Sequence, residues 1–259
     1  MTLFAAAGVR KSLGAAGAAT QVLEGISFRA AAGEFVSVVG PSGCGKTTLL
    51  MCLGGLMRAD SGSVVFEDRE VTEPPPGIAV VFQDYSRSLL PWRRNLGNVT
   101  FGMRRLEDLD ASGRDARAKE LLAHVGLKGF EEHFPWQVSG GMQQRVAIAR
   151  GLASRSRLLL LDEPLAAVDA QTRAEMQDLL LALAAEYRQT CVLVTHDVDE
   201  AVYMADRVVV LSQRPSRVLR EIPVPLPKPR DQIATPSHPE YLRLREEVLR
   251  MIRAMPRPN

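Results

Sequence analysis

Gly40-Pro41-Ser42-Gly43-Cys44-Gly45-Lys46-Thr47 follows an apolar run, Glu34 to Val39, and precedes Leu49, Leu50, Leu53, Leu56 and Met57 at helical spacing. Glycines in such a loop let successive backbone N–H groups turn inward on a polyphosphate, and the helix start adds its partial positive charge. The spacing is GxxxxGK[ST], in which Lys46 can reach the β- and γ-phosphates and the Thr47 hydroxyl can hold Mg²⁺. Residues Gly40 to Thr47, together with Thr48, are therefore the candidate nucleotide-phosphate cradle. A strand before and a helix after are the context that such a loop needs, and both are legible here.

A second apolar run, Leu158 to Leu161, ends in two carboxylates, Asp162 and Glu163. A strand tip can deliver Asp162 to a metal beside the loop, while Glu163 polarises a water for attack on the γ-phosphate. Standing alone, the same residues would read as a buried strand with a solvated acidic turn. The phosphate loop favours the chemical reading. A third segment, Ser139-Gly140-Gly141-Met142, places a good N-cap before two glycines, leaving backbone N–H groups open at another helix start. One nucleotide does not need two separate phosphate cradles. A nucleotide held between two chains does.

The elements that must position these groups follow from the apolar patterning. Glu34 to Val39, Ile78 to Phe82, Leu158 to Leu161, Cys191 to Val194 and Val208 to Leu211 read as buried strands. All-apolar runs separated by helices indicate a parallel sheet covered on both faces. Thr47 to Met57 reads as a helix, Asp60-Ser-Gly62 as a turn, Ser63 to Phe66 as a short strand, and Pro74-Pro-Pro-Gly77 as a break. Gly14 to Thr20 reads as a loop between two N-terminal strands. From Tyr85 to Arg157 the sequence turns charged and helix-forming, a helical lobe inserted into the α/β core. The expected division is a core of about 1–84 and 158–213, a helical lobe of about 85–157, and a C-terminal extension of about 214–259. The extension opens as a proline-rich strap and ends in an amphipathic helix. Ser237 and Glu240 are its expected capping box, and Tyr241, Leu244, Val248, Ile252 and Met255 its apolar face.

Composition narrows the class. With 32 basic against 30 acidic residues, the charge balance gives no footprint for nucleic acid. The three cysteines, Cys44, Cys52 and Cys191, fit no metal-ligand spacing and suit a reduced, cytosolic setting. No apolar run approaches the roughly 18 residues that span a bilayer. The charges after Met1 to Val9 stand in the wrong order for a secretory signal. The expectation is a soluble chain whose membrane role comes through a partner.

Taken together, these motifs resemble the ABC ATPase family, whose signature is usually LSGGQ. The resemblance runs over nearly the whole chain. It implies a P-loop NTPase with a RecA-like parallel-sheet core, an N-terminal antiparallel β subdomain and an inserted helical subdomain. It also implies the cofactors ATP and Mg²⁺. Gln83, after the Ile78 to Phe82 strand, matches the glutamine linking Mg²⁺ and attacking water to the helical lobe. His196, after the Cys191 to Val194 strand, matches the histidine that contacts the γ-phosphate. Asp169, in Leu165-Ala-Ala-Val-Asp169, matches the loop that communicates across the dimer. The resemblance thus implies catalytic roles for Lys46, Gln83, Glu163 and His196, a metal site of Thr47, Gln83 and Asp162, and a signature, Ser139 to Met142, that serves the opposite chain.

Val81-Phe-Gln-Asp-Tyr-Ser, Leu89-Leu-Pro-Trp-Arg93 and the proline-rich tail look like the ATPases of nitrate, sulfonate and taurine importers. That implies a second copy of the chain, permease subunits and, indirectly, an extracytoplasmic solute-binding protein as partners, with the chain at the cytoplasmic face of the inner membrane. Leu89 and Trp92 then fall beside the permease contact. Pro91-Trp92 reads equally as a core anchor at a helix start. Three positions depart from the family pattern. Leu13 stands where an aromatic side chain stacks on adenine, Met142 replaces the last signature Gln, and Ala-Ala-Val-Asp replaces Ser/Gly-Ala-Leu-Asp. The competing readings are a soluble ABC ATPase acting on nucleic acid or ribosomes, and an ordinary P-loop kinase. The first usually carries two cassettes or long basic insertions. The second leaves Ser139-Gly-Gly unexplained.

Overall fold

A computed structural model describes residues 1–14, 18–84, 88–166 and 168–255. Residues 15–17 of the expected N-terminal loop, Tyr85 and Ser86, and Ala167 lie outside the described residues. Numbered along the chain, the strands are β1 (Thr2–Leu13), β2 (Thr20–Ala31), β3 (Phe35–Val39), β4 (Ser61–Phe66), β5 (Arg69–Glu70), β6 (Ile78–Val81), β7 (Leu158–Asp162), β8 (Thr190–Thr195), β9 (Arg207–Leu211) and β10 (Val218–Pro223). The helices are α1 (Lys46–Leu53), α2 (Asn95–Gly102), α3 (Ala111–His124), α4 (Gly140–Ala153), α5 (Ala170–Glu186), α6 (Val198–Met204), α7 (Ala234–Ser237) and α8 (Pro239–Arg253). Two compact units divide the chain: Met1–Pro75 with Leu180–Asn259, and Pro76–Leu179. The first division falls inside the Pro74-to-Gly77 break.

In the first unit, β2, β1, β4 and β5 form an antiparallel sheet in that order. Ile26, Phe28 and Ala30 are buried while the intervening Ser27 and Arg29 are exposed, the alternation of a strand with one dry face. β3 lies between β8 and β9 and is parallel to both. Every residue of β3 and β8 is buried, as the apolar runs required. Ser61 and Gly62 belong to β4 rather than to a turn. Gly62 has φ +83°, and a Cβ there would stand 2.3 Å from the Gly8 carbonyl oxygen. The glycine permits close passage of two backbones, which a sequence reading takes for a turn.

The helix after the phosphate loop is shorter than its periodicity suggests. α1 ends at Leu53, with Gly54 as C-cap and Gly55 at φ +69°. Two successive glycines outweigh the apolar spacing of Leu56 and Met57. The tail is extended as expected, but part of it is a true strand: β10 pairs antiparallel with β9. The capping of α8 also differs. His238 is its N-cap, Nδ1 accepting from the Glu240 N–H at 3.1 Å. Ser237 instead donates to the Ile233 carbonyl at 2.9 Å. Pro239 has no N–H to cap and a φ suited to the first helical position, so the helix starts one residue later than the capping box predicts.

In the second unit, β6 and β7 pair in parallel from Ile78↔Leu158 to Val81↔Leu161. α2, α3 and α4 pack on one another. Their core includes Val99, Leu121, Leu122, Val146, Ile148 and Leu152. Each such aliphatic side chain contributes roughly 1.5–3 kcal/mol on burial. α3 is capped by Asp110, which accepts from the Gly113 N–H at 2.7 Å. Among the described residues, no helix is long and apolar enough to cross a membrane.

Candidate functional site

The phosphate loop leaves β3 at Gly40 and ends at the Gly45 N-cap of α1. Gly45 has φ +104°, and a Cβ would meet Val22 Cγ1 at 2.4 Å, so both conformation and space restrict this position to glycine. α1 has no side-chain cap and no acid in its first turn. The positive end of the helix therefore faces the loop with no acidic side chain of its own first turn to neutralise it, which suits an anion. Lys46 is 5% exposed, and its ammonium donates to the carbonyls of Gly40 (3.0 Å) and Pro41 (3.1 Å). The Cys44 N–H closes the loop on the Pro41 carbonyl at 3.2 Å. Ser42, Gly43 and Thr47 are exposed, and Thr48 is half-buried. These residues fit a polyphosphate: a cation beside the backbone curl, and a hydroxyl at the surface.

The same unit brings His196 to the loop's end of the sheet. β3 and β8 run in register, Val39 facing Thr195, so Gly40 and His196 leave neighbouring parallel strands at the same carboxyl end. Ligands of open α/β sheets bind at such ends. His196 is exposed. The next residue, Asp197, caps α6 by accepting from the Glu200 N–H at 3.1 Å, while its own N–H donates to Thr195 Oγ1 at 3.0 Å.

The second unit pairs its groups by the same device. Val81 faces Leu161, so Gln83 and the Asp162-Glu163 pair leave β6 and β7 together. Asp162 is 3% exposed, Glu163 half-buried and Gln83 exposed. Glu163 has φ +43°, a left-handed conformation that costs a non-glycine residue about 1–3 kcal/mol and collects at functional sites. Among the described residues no cluster of three or more His, Cys, Asp or Glu could hold a metal alone. Magnesium that arrives on a nucleotide is bound through one or two carboxylates plus phosphate oxygens and water; the Thr47 hydroxyl of the first unit, and the Gln83 amide and Asp162 carboxylate of the second, are each oxygen donors of the kind it takes.

Ser139 caps α4, its Oγ accepting from the Met142 N–H at 3.3 Å. Ser139 is exposed, and Gly140, Gly141 and Met142 are half-buried. Asp169 accepts from both the N–H (3.0 Å) and the hydroxyl (2.7 Å) of Thr172. These two bonds hold its carboxyl below the usual range. Leu13 ends β1, half-buried. The three cysteines are buried, and none is in a disulfide. Burial pushes the Cys52 thiol up to about 11 and that of Cys191 to about 12, so both stay protonated at neutral pH.

Leu89 and Trp92 part company. Leu89 is 2% exposed and belongs to the core, whereas Trp92 is 71% exposed. Of the two readings open for Trp92, the core anchor does not hold; Leu89, placed with it beside the permease contact, is the residue that is buried. Leu89→Ala should lower the melting temperature of the isolated chain, since Leu→Ala in a core costs about 2–5 kcal/mol. Trp92→Ala should leave it unchanged in the same thermal scan.

Sequence reading missed what pins this segment. Asn98, fully buried, donates to the carbonyls of Leu90, Arg93 and Arg94 and accepts from the Leu90 N–H at 2.8 Å. Arg150 donates to the Ser88 carbonyl (2.6 Å) and hydroxyl (3.1 Å). Asn and Arg in amphipathic helices ordinarily read as solvated, so periodicity carries no signal for either.

The model of the ABC transporter family matches residues 23–166. An ABC transporter ATP-binding protein of Methanocaldococcus jannaschii is 45% identical over 233 residues, covering 90% of this chain and 85% of that one. The taurine import ATP-binding protein TauB of Yersinia pestis is 43% identical over 88% of this chain and 89% of its own. The nitrate import ATP-binding protein NrtC of Synechococcus elongatus is 44% identical over 89% of this chain, which spans only 35% of that longer protein. Among solved structures, a dimeric ATP-binding cassette in a post-hydrolysis state, bound to ADP and Pi, superposes with a TM-score of 0.76 at 32% identity, over 85% of this chain and 98% of that one.

Proposed function

The chain belongs to the ABC transporter family of ATP-binding subunits, and from that premise we propose that it hydrolyses MgATP to drive a membrane importer for a small anion or organic solute of the nitrate, sulfonate or taurine type. In this reading Lys46 and the N–H groups of Gly43 to Thr48 bind the phosphates. Thr47, Asp162 and Gln83 would hold Mg²⁺, which neutralises charge on the β- and γ-oxygens when bound. Glu163 orients the attacking water and takes its proton. His196 meets the γ-phosphate. Two copies of the chain close on the nucleotide, Ser139 to Met142 of one facing the phosphates held by the other, while Asp169 lies in the loop that senses the partner. Permease subunits hold the pair at the cytoplasmic face of the inner membrane, and an extracytoplasmic solute-binding protein delivers the cargo.

The observation that carries the two-chain site is the presence of two anion-binding helix starts, α1 at Gly45 and α4 at Ser139, on one chain. Ser139→Arg tests it. Losing the cap costs about 1 kcal/mol, so folding should survive with a slightly lowered melting temperature. Nucleotide binding to the single chain should persist. ATP-driven dimerisation should fail, because bulk and positive charge now sit at the helix start. Light scattering with MgATP and a phosphate-release assay across protein concentrations read this out. Unchanged turnover, first order in protein, would sink the two-chain site.

A further inference from the structure

α6 begins two residues after His196, and the C-terminal tail grips it at both ends. At its start, the Tyr241 hydroxyl of α8 lies 3.1 Å from Asp199 Oδ1 and 3.2 Å from the Asp199 carbonyl oxygen, sharing its proton between them. Arg245 pairs with the same carboxylate, Nη2 standing 3.2 Å from Oδ2. At its end, Arg230 Nε donates to the Tyr203 carbonyl (3.0 Å) and Nη2 to the Ala205 carbonyl (2.8 Å), acceptors of the kind a helix terminus leaves unpaired. One residue on, Lys228 pairs with Asp206 at 2.6 Å, and Asp206 also accepts from the Phe35 N–H at 3.0 Å. Tyr241, Leu244 and Val248 of α8 are buried, as are Val198, Ala201, Val202, Tyr203 and Met204 of α6.

A helix of two turns has too few internal bonds to fix its own orientation, so its partners set it. His196 hangs between two anchors. One is β8, locked to β3 by the Val39↔Thr195 register. The other is α6. Sliding or rotating α6 requires Tyr241 and Arg230 to let go together, and Arg230 engages the two carbonyls through separate nitrogens of one rigid plane, which fixes their relative orientation as the point charge of a flexible lysine does not. We propose that the C-terminal tail is a splint for His196. Tyr241 and Arg230 are positioning residues that hold α6, and through it the imidazole, in the orientation from which it meets the γ-phosphate. This rests on the reading of His196 given above.

The test uses the full chain carrying Tyr241→Phe and Arg230→Lys together. Phenylalanine keeps the ring and loses the hydroxyl, while lysine keeps the charge and loses the fork. The double variant should show kcat reduced about tenfold, the scale on which small misplacements of a reacting group act. KM for ATP and binding of a fluorescent ATP analogue should stay within about twofold. Amide exchange across residues 196–204 should quicken while the phosphate loop keeps its protection. Wild-type kcat overturns the proposal. So does a loss of kcat matched by weaker nucleotide binding and a general loss of protection, which would make the tail a stabiliser of the fold and nothing more. His196→Ala, assayed alongside, separates the failures. If it also turns over normally, the reading of His196 falls. If it is inactive while the double variant is normal, the splint alone falls.

Discussion

Glu163→Gln will bind MgATP as the wild type does, hydrolyse it roughly 10²- to 10⁴-fold more slowly, and accumulate as an ATP-bound dimer. Glutamine has the size of glutamate and can still hydrogen-bond a water, but it cannot accept the proton released as that water attacks. The backbone gives no reason for a wider disturbance. Glu163 already sits at φ +43°, and the turn is closed through its carbonyl, which accepts from the Ala166 N–H at 3.2 Å. Asp162→Asn must behave differently. Asp162 is 3% exposed at the tip of β7 and is assigned to the metal, so its loss should weaken Mg²⁺-dependent binding itself. Size-exclusion chromatography with and without MgATP, beside a phosphate-release assay, reads both outcomes. A Glu163→Gln chain that stays monomeric and turns over normally would remove Glu163 from the mechanism.

Lys46→Ala should abolish tight MgATP binding and lower turnover by at least roughly 10²- to 10³-fold, the loss that follows removal of one preorganised donor to developing charge. The structure adds a reason why no other residue compensates. Lys46 is buried, and its ammonium bonds to the Gly40 and Pro41 carbonyls, so the cation is held inside the curl of the loop rather than reaching in from solvent. Its removal also takes two hydrogen bonds from the loop, each worth about 1 kcal/mol. Equilibrium dialysis with labelled ATP and a melting curve separate lost binding from lost folding. Near-normal hydrolysis by a folded Lys46→Ala chain would sink the assignment of the phosphate loop.

Most of this architecture could be read from sequence because its strands are buried on both faces. Such strands appear as unbroken apolar runs, and every run identified in this way is a strand within two residues of its expected ends. The groups assigned to chemistry were legible for a related reason: each follows one of these runs or opens a helix, where residue type and spacing are restricted. What escaped were bonds from buried and half-buried side chains to the backbone of a loop, made across four to eight residues by Asn98 and across 62 by Arg150. Asn98 and Arg150 grip the segment from Ser88 to Arg94, and nothing in their own helices marks them out. Leu89 and Trp92 were expected to share one role, because hydrophobicity alone cannot tell a buried leucine from a tryptophan left at the surface. The helix boundaries at Gly54 and Pro239 turned on single-residue backbone preferences, which outweighed periodicity at α1 and a capping pattern at α8.

β10 has a consequence for the order in which the chain is made. It covers the outer edge of β9, whose Val208-Val-Val-Leu211 is as apolar a strand as the molecule contains. An unpaired edge of that composition is a template for foreign strands. β10 itself presents exposed Arg220 and Glu221 and ends in Pro223, which has no N–H to offer another chain. During synthesis β9 leaves the ribosome before its cover does. Until β10 follows, the valine edge of β9 has no strand to cover it. A chain cut between Leu211 and Val218 would keep that edge open for good, and is expected to aggregate where the full chain stays dispersed.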